Sequence, residues 1–179
     1  LADPQVVELD AFALGALRRY PDIEAPELTA VDAADRLILD ESAAMRAEAA
    51  TGAGDLVVIG DDYGALTLSA AAEGARGIRV HQDPLLGERA LARNATEFGL
   101  DGTFTSLPLG AELVRGARVV LLRLPRSLEA LDDRRDQLVQ YLPSAEHTPR
   151  ALATLMRSPI KDLLDDLEHV RHSYRGSFT

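Results

Sequence analysis

Residues 55–66 read DLVVIGDDYGAL, and this stretch decides the fold. Asp55 opens a short, continuously apolar run that ends at Gly60, a pattern typical of a strand that is covered on both faces. Ala65 then begins an alanine-rich helical pattern. The stretch therefore predicts one β-α unit, in which a buried strand leads through a glycine-containing turn into a helix.

The same alternation of strand and helix extends in both directions from this stretch. Upstream, three- and four-residue spacing of apolar side chains predicts an amphipathic helix over residues 29–50, with Thr29 as its cap. Downstream, strands are predicted at 77–81, 102–107 and 118–124, and helices at 65–73, 84–98 and 127–142. This alternation predicts an α/β fold with a mostly parallel sheet and helices on both faces.

The length of 179 residues favours a single α/β domain, because it allows one sizeable core but hardly two. We expect residues 1–28 to be an N-terminal extension, 29–142 the β-α core, and 150–179 a C-terminal helical segment that leads to a further domain. A strand would normally follow the last core helix, but residues 144–147 cannot supply one, so either the sheet ends there or the sequence omits a segment. Because the sequence begins at Leu1 without an initiator Met, we expect a piece of a longer protein.

Composition and charge exclude several functional classes. The net charge of -10 argues against a stand-alone nucleic-acid binder, which usually carries excess lysine and arginine. The chain has no cysteine, which excludes disulfides and thiolate zinc sites and is compatible with the cytoplasmic location that we predict. No apolar run reaches the roughly 18 residues that span a membrane, so no membrane partner is expected.

The turn from Gly60 to Gly64 lies beyond the carboxyl end of a predicted strand, where open α/β sheets bind ligands. A dinucleotide fingerprint would need glycine at positions 60, 62 and 65, but Asp62 and Ala65 occupy two of them. Asp61 and Asp62 stand where the helix begins, and its amides and dipole stabilise carboxylates there by about 0.3–1 kcal/mol. We expect these carboxylates to take the place that a phosphate would need. A capped turn without any ligand explains the same residues.

Other candidate sites are weaker. His169 and His172 are three residues apart, but no third ligand at helical spacing can be named, so we predict no metal site. The acidic pairs at 132–133 and 165–166 have arginine neighbours and are expected to be solvated helix faces. No serine lies in a Gly-x-Ser-x-Gly turn, so nucleophilic hydrolysis is not predicted.

The turn and the strand after it resemble the first two β-α units of class I S-adenosylmethionine-dependent methyltransferases. Gly60 and Gly64 match two glycines of that family's loop, and Asp62 replaces the glycine between them. Asp83 falls at the acidic position that holds the ribose hydroxyls in the family. The resemblance thus implies a vestigial cofactor site at Gly60, Asp62, Gly64 and Asp83.

Four segments, at 17–21, 32–39, 58–66 and 122–128, together resemble the N-terminal half of bacterial ribosomal-RNA guanine-N2 methyltransferases, which have two tandem class I domains. The resemblance covers most of residues 12–175 in order. It implies a degenerate, non-catalytic half that supports folding and RNA placement for a C-terminal catalytic domain of the same chain. S-adenosylmethionine and rRNA are implied for the full-length protein, and no cofactor is implied for this half.

The family comparison also bears on the missing strand and on catalysis. Relatives place a strand and a loop near residues 143–147, so we expect that Ala145 and Glu146 are not neighbours in the native protein. Their catalytic Asn-Pro-Pro-Phe motif aligns with Arg123 to Arg126 here. Because arginine cannot accept a hydrogen bond from the guanine amine, we predict no catalytic residue in this chain.

The arginines near the predicted end of the fourth strand have two explanations. We expect them to pair with neighbouring carboxylates, and the alternative is a basic strip facing RNA phosphates; they are Arg123, Arg126, Arg134 and Arg135. Two further functions also stay open. Gly60, Gly64 and Asp83 could still bind S-adenosylmethionine in an active small methyltransferase, or the chain could be a homodimerising α/β module with an empty crevice.

Overall fold

The computed structural model describes residues 12–49, 53–123, 150–153 and 156–159. Helices and strands alternate along the first two of these ranges: α1 (Ala33–Ala49), β1 (Leu56–Ile59), α2 (Ala65–Ala72), β2 (Ile78–His81), α3 (Leu85–Glu97), β3 (Phe104–Ser106), α4 (Ala111–Val114) and β4 (Val119–Leu122). Two more strands follow, β5 (Arg150–Ala153) and β6 (Met156–Pro159). The predicted alternation is confirmed through β4, and α4 is a helix that the sequence analysis did not predict. The helix predicted at 127–142, the expected break between Ala145 and Glu146, and the histidine pair lie outside the described residues.

The strands form one sheet in the order β3-β2-β1-β4-β5-β6. Neighbouring strands from β3 through β5 run parallel, and β6 runs antiparallel to β5. The mostly parallel sheet that the sequence predicts is therefore confirmed. The strand order reverses direction between β1 and β4, and this switch point is where open α/β sheets form a ligand crevice.

The core lies on both faces of the sheet. Leu56 and Val58 of β1 belong to an apolar cluster with α1, α2 and α3, whereas Val57 and Ile59 belong to a second cluster with α4. All residues of β1 and β4 are buried, which explains why both strands read as continuous apolar runs. The expected placement of helices on both faces is confirmed. Among the helices described, none combines the length with the apolar composition that a bilayer crossing requires.

The prediction of a C-terminal helical segment is wrong over residues 150–153 and 156–159, which form β5 and β6. β5 pairs with the edge of β4, from Arg150 opposite Val119 to Ala153 opposite Leu122, and supplies partners for its backbone groups. Pro159 would interrupt a helix because it lacks an N–H, and the residue before a proline favours extended backbone. β5 thus takes the place beside β4 where a further strand was expected.

The start of α1 also differs from the prediction. The helix begins after Asp32 rather than after Thr29: Asp32 Oδ1 accepts hydrogen bonds from the backbone N–H groups of Ala34 (2.8 Å) and Asp35 (3.0 Å). Asp35 Oδ2 in turn accepts one from the Asp32 N–H (2.9 Å). This reciprocal arrangement is a capping box. It places two carboxylates at the N-terminus of α1.

Candidate functional site

The loop after β1 retains the backbone of a glycine-rich loop. Gly60 and Gly64 have φ angles of 81° and 101°, and Asp62 has 53°. Asp62 is the one non-glycine residue with positive φ among those described, and this conformation costs most side chains about 1–2 kcal/mol. A Cβ at Gly64 would lie 2.8 Å from Leu91 Cδ1, so glycine there lets the loop pack against α3. The loop conformation therefore persists even though aspartate stands at its middle position.

Asp61 occupies the N-terminus of α2. Its side chain is completely buried, and its two oxygens accept hydrogen bonds from the backbone N–H groups of Leu66 and Thr67, each at 2.8 Å. Burial raises the pKa of Asp61 to about 7, although these hydrogen bonds favour the charged form. The expectation that a carboxylate takes the anion position of this helix is confirmed for Asp61.

Arg123 joins the end of β4 to this loop and to the start of α1. Its guanidinium forms ion pairs with Asp35 Oδ1 at 2.7 Å, with Asp62 Oδ2 at 3.1 Å and with the Asp32 carboxylate. Its backbone N–H donates a hydrogen bond to the carbonyl of Ile59 in β1 (2.9 Å), and this bond fixes the position of the Arg123 backbone beside β1. We call Arg123 and its three carboxylate partners the Arg123 cluster.

Electrostatics within the Arg123 cluster are uneven. The Asp35 side chain is 1% exposed, whereas those of Asp32 and Asp62 are 40% and 41% exposed. Burial raises the pKa of Asp35 to about 6, and the charge of Arg123 opposes this shift. The expectation that arginine pairs with carboxylates is confirmed for Arg123, while the three arginines at 126, 134 and 135 lie outside the described residues.

Asp83 lies at the same edge of the sheet, after β2. Its side chain is 63% exposed, and its Oδ1 is 3.1 Å from Nε2 of His81. Nδ1 of His81 lies 3.0 Å from the carbonyl of Leu107, so β2 is tied to the segment after β3. The structure therefore brings Gly60, Asp62 and Gly64 together in one loop and places Asp83 beyond the neighbouring strand.

The first turn of α3 presses against the loop after β1. A Cβ at Gly87 would lie 2.5 Å from Gln82 Oε1 and 2.7 Å from the carbonyl oxygen of Asp62. The buried amide of Gln82 makes no hydrogen bond within the described part of the chain. A bare backbone at position 87 is thus required for α3 to pack here.

The N-terminal segment is fastened onto the same loop. The buried Asn94 side chain accepts a hydrogen bond from the Arg18 N–H (3.1 Å) and donates to the carbonyls of Arg18 (2.9 Å) and Tyr63 (2.8 Å). The Tyr63 hydroxyl donates to Asp22 at 2.5 Å, and burial together with this bond raises the pKa of Tyr63 to about 12. The guanidinium of Arg19 stacks 4.7 Å from the Tyr63 ring centroid. These contacts hold the loop between α3 and the N-terminal segment.

Sequence reasoning located the loop residues but missed Asp32 and Asp35. The sequence does contain a signal for them, because Asp32 and Asp35 have the Asp-x-x-Asp spacing of a capping box that starts three residues after the predicted cap, Thr29. Nothing local in the sequence connects that box with Arg123.

Residues 8–170 match the family described as the RLMG N-terminal domain. The chain belongs to this family. It is 31% identical over 137 residues to ribosomal RNA large subunit methyltransferase G of Streptomyces avermitilis, a match covering 76% of this chain and 34% of the relative. It is 30% identical over 162 residues to the protein of the same name from Magnetococcus marinus, covering 87% of this chain and 41% of the relative. The match thus spans well under half of each curated relative, and the resemblance to the N-terminal half of rRNA methyltransferases is confirmed.

Two solved structures of geranyl diphosphate methyltransferase are also similar. One, in complex with GPP and sinefungin, gives a TM-score of 0.42 at 13% identity and covers 64% of this chain and 44% of its own. The other, in complex with SAM, gives 0.40 at 13% identity and covers 72% and 55%. The family assignment itself rests on the sequence match.

Proposed function

We propose that this chain is the non-catalytic N-terminal domain of an S-adenosylmethionine-dependent rRNA (guanine-N2) methyltransferase. In this proposal it packs against a C-terminal catalytic domain of the same polypeptide, in the cytoplasm, and helps to place the RNA. The family assignment supports it, as do the matches that span only 34% and 41% of relatives named as large-subunit rRNA methyltransferases.

The Arg123 cluster is the observation that carries the proposal. A methyltransferase acting on an exocyclic amine needs a hydrogen-bond acceptor beside that amine, and the catalytic motif of the resembling enzymes supplies one at this position. Arg123 is a donor only, and its guanidinium is held by three carboxylates. The acceptor of that motif is therefore replaced here by a donor, and the carboxylate oxygens around it are paired with the guanidinium.

The loop after β1 also fits S-adenosylmethionine poorly. Asp61 already takes the amides at the N-terminus of α2, and Asp62 places a carboxylate at the middle of the loop, paired with Arg123. We therefore regard Gly60, Asp62, Gly64 and Asp83 as a vestigial site that holds no cofactor. S-adenosylmethionine would bind to the other half of the full-length protein.

The net charge of -10 bears on how rRNA would be held. Phosphate contacts made by lysine and arginine supply most of the sequence-independent affinity for RNA. A strongly acidic domain contributes little to that term, so in this proposal the catalytic half makes most of the phosphate contacts. This domain then acts mainly through its packing against that half.

Calorimetric titration with S-adenosylmethionine tests the proposal. We expect no heat of binding from this chain, under conditions in which the full-length protein binds the cofactor. Micromolar binding that disappears in Asp83→Ala would instead establish the active small methyltransferase and overturn the proposal. The other alternative is a homodimerising module. Light scattering on the chain tests it, because a stable dimer would favour that module and a monomer would not.

A further inference from the structure

An exposed apolar patch lies at the carboxyl ends of β2 and β3. Of the six large apolar side chains that are exposed in the described ranges, only Leu85 and Leu86 are adjacent in sequence, at 57% and 45% exposure. Pro84, which precedes them, is also exposed. After β3, residues 107–109 add an exposed proline between two half-buried leucines. We call residues 84–86 and 107–109 the leucine patch.

The two segments of the leucine patch lie side by side. Because β2 and β3 run parallel, their carboxyl ends meet at one edge of the sheet. Nδ1 of His81 lies 3.0 Å from the Leu107 carbonyl, and the Leu107 N–H donates to the carbonyl of Val80 at 2.8 Å. The carbonyl of Pro84 accepts a hydrogen bond from the Gly87 N–H in the first turn of α3 at 3.0 Å. Since hydrogen bonds hold the backbone of both segments, the patch is already ordered before a partner binds it.

The charges around the leucine patch disfavour RNA. Neither residues 80–88 nor residues 104–114 contain lysine or arginine, whereas Asp83, Glu88 and Glu112 lie within them. Asp83, directly before the patch, has a side chain that is 63% exposed. Phosphate contacts are made by lysine and arginine, and carboxylates repel phosphates, so an RNA backbone would be held poorly here. Contiguous exposed apolar surface is instead characteristic of a contact with protein.

The area of the leucine patch indicates what kind of protein partner it fits. Together Leu85 and Leu86 expose about the surface of one leucine, on the order of 100 Å². A stable complex between separate proteins buries about 800 Å² on each partner. A tethered domain needs less apolar area, because linkage in one polypeptide gives an effective concentration in the millimolar range. The patch therefore suits a further domain of the same polypeptide better than a second copy of this chain or a separate protein.

We propose that the leucine patch is the surface against which the C-terminal half of the same polypeptide packs. An apolar cluster of that half covers Leu85 and Leu86, and its margin reaches Asp83 at the edge of the vestigial site. The inference rests on the proposed function, because it names the surface through which the proposed packing takes place. The curated relatives contain enough further chain for such a half, since the matches cover only 34% and 41% of their lengths.

Cysteine labelling of the full-length protein tests the inference. This chain has no cysteine, so a single engineered thiol within it is identified by the mass of its peptide. Leu86→Cys reports on the leucine patch, and Leu37→Cys on α1 is the matched control, because both leucines are 45% exposed. Each alkylation rate is divided by the rate of the same variant unfolded in urea, which removes differences in intrinsic thiol reactivity.

We expect the normalised alkylation rate at Leu86→Cys to be at least about tenfold lower than at Leu37→Cys, because the packed half shields the first thiol from the reagent. Pro108→Cys, in the other segment of the leucine patch, should be slowed to a similar extent. This variant also keeps the inference testable if Leu86→Cys does not fold, since Pro108 is exposed and lies outside the helices and strands.

Three outcomes would overturn the inference. The first is an equal normalised rate at Leu86→Cys and Leu37→Cys. The second is a slower rate at Leu37→Cys, which would put the packing on α1 and leave the proposed function intact. The third is a slowing at Leu86→Cys that develops only as the protein concentration rises from about 1 to 100 μM, which would assign the leucine patch to a second copy. The calorimetric titration decides the proposed function separately, because cofactor binding by this chain does not depend on which surface packs.

Discussion

Replacing Arg123 with methionine removes the cation of the Arg123 cluster and keeps much of its apolar stem. Asp35, whose side chain is 1% exposed, would then be buried beside Asp32 and Asp62 without the guanidinium that now pairs with all three. Removing one partner of a buried ion pair costs about 3–5 kcal/mol. We expect the lower end, about 3 kcal/mol at pH 8, because two of the three carboxylates stay partly hydrated.

Thermal and urea denaturation followed by circular dichroism measures this loss. For a chain of this size, a loss of about 3 kcal/mol lowers Tm by roughly 6–12 °C. The loss should shrink at pH 5, because the pKa of Asp35 is about 6 with Arg123 present and rises further without it. A protonated Asp35 leaves no unpaired charge in the core of the cluster.

Arg118→Met is the matched control for Arg123→Met. The Arg118 side chain is 59% exposed and pairs with Asp55 at 3.3 Å, so its loss should cost about 1 kcal/mol or less at either pH. Equal losses for the two variants would refute the reasoning. So would a loss in Arg123→Met that is the same at pH 5 and pH 8.

Further predictions concern the loop, its packing and pH. Asp61→Ala leaves two buried amides unpaired and should lower the free energy of unfolding by about 2–4 kcal/mol in urea titrations; a change below about 0.5 kcal/mol would contradict the assigned role. Asp62→Gly should be more stable than Asp62→Ala by about 1 kcal/mol, since alanine keeps a Cβ at positive φ, and equal stability would argue against that conformation. Gly87→Ala should cost about 1–3 kcal/mol, whereas Gly15→Ala, which meets nothing within 4 Å, should be near neutral by the same measurement. The pKa values of Asp35 and Asp61 in the folded chain are about 6 and 7, against an ordinary 3.8. Protonation of these two carboxyls therefore stabilises the fold fully below pH 3.8, and this contribution is lost as the pH rises through 6 and 7. The urea concentration at the unfolding midpoint should accordingly be lower at pH 8 than at pH 5.

The β-α alternation could be predicted because its signals are local. β1 and β4 are buried on both faces, so each reads as an unbroken apolar run wherever it lies in the sheet. The role of Asp61 was also readable, because the amides it accepts from belong to the helix that begins a few residues later. In each case the signal lies within a few residues: the apolar run is the strand itself, and the amides bound by Asp61 belong to the next turn of the chain.

Tertiary structure decided what local patterns leave open. Residues 150–153 and 156–159 carry apolar spacing that fits a helix, but the first of these segments pairs with the edge of β4 and the second pairs with the first, so both are strands. Likewise, Arg123 is 91 residues from Asp32 and 88 from Asp35 along the chain. Any of the 29 acidic residues is an equally good partner for an arginine by charge alone. Only the packing of α1 on β4 brings these carboxylates within hydrogen-bonding distance of Arg123, because Coulomb attraction and hydrogen bonding act through space and not along the sequence.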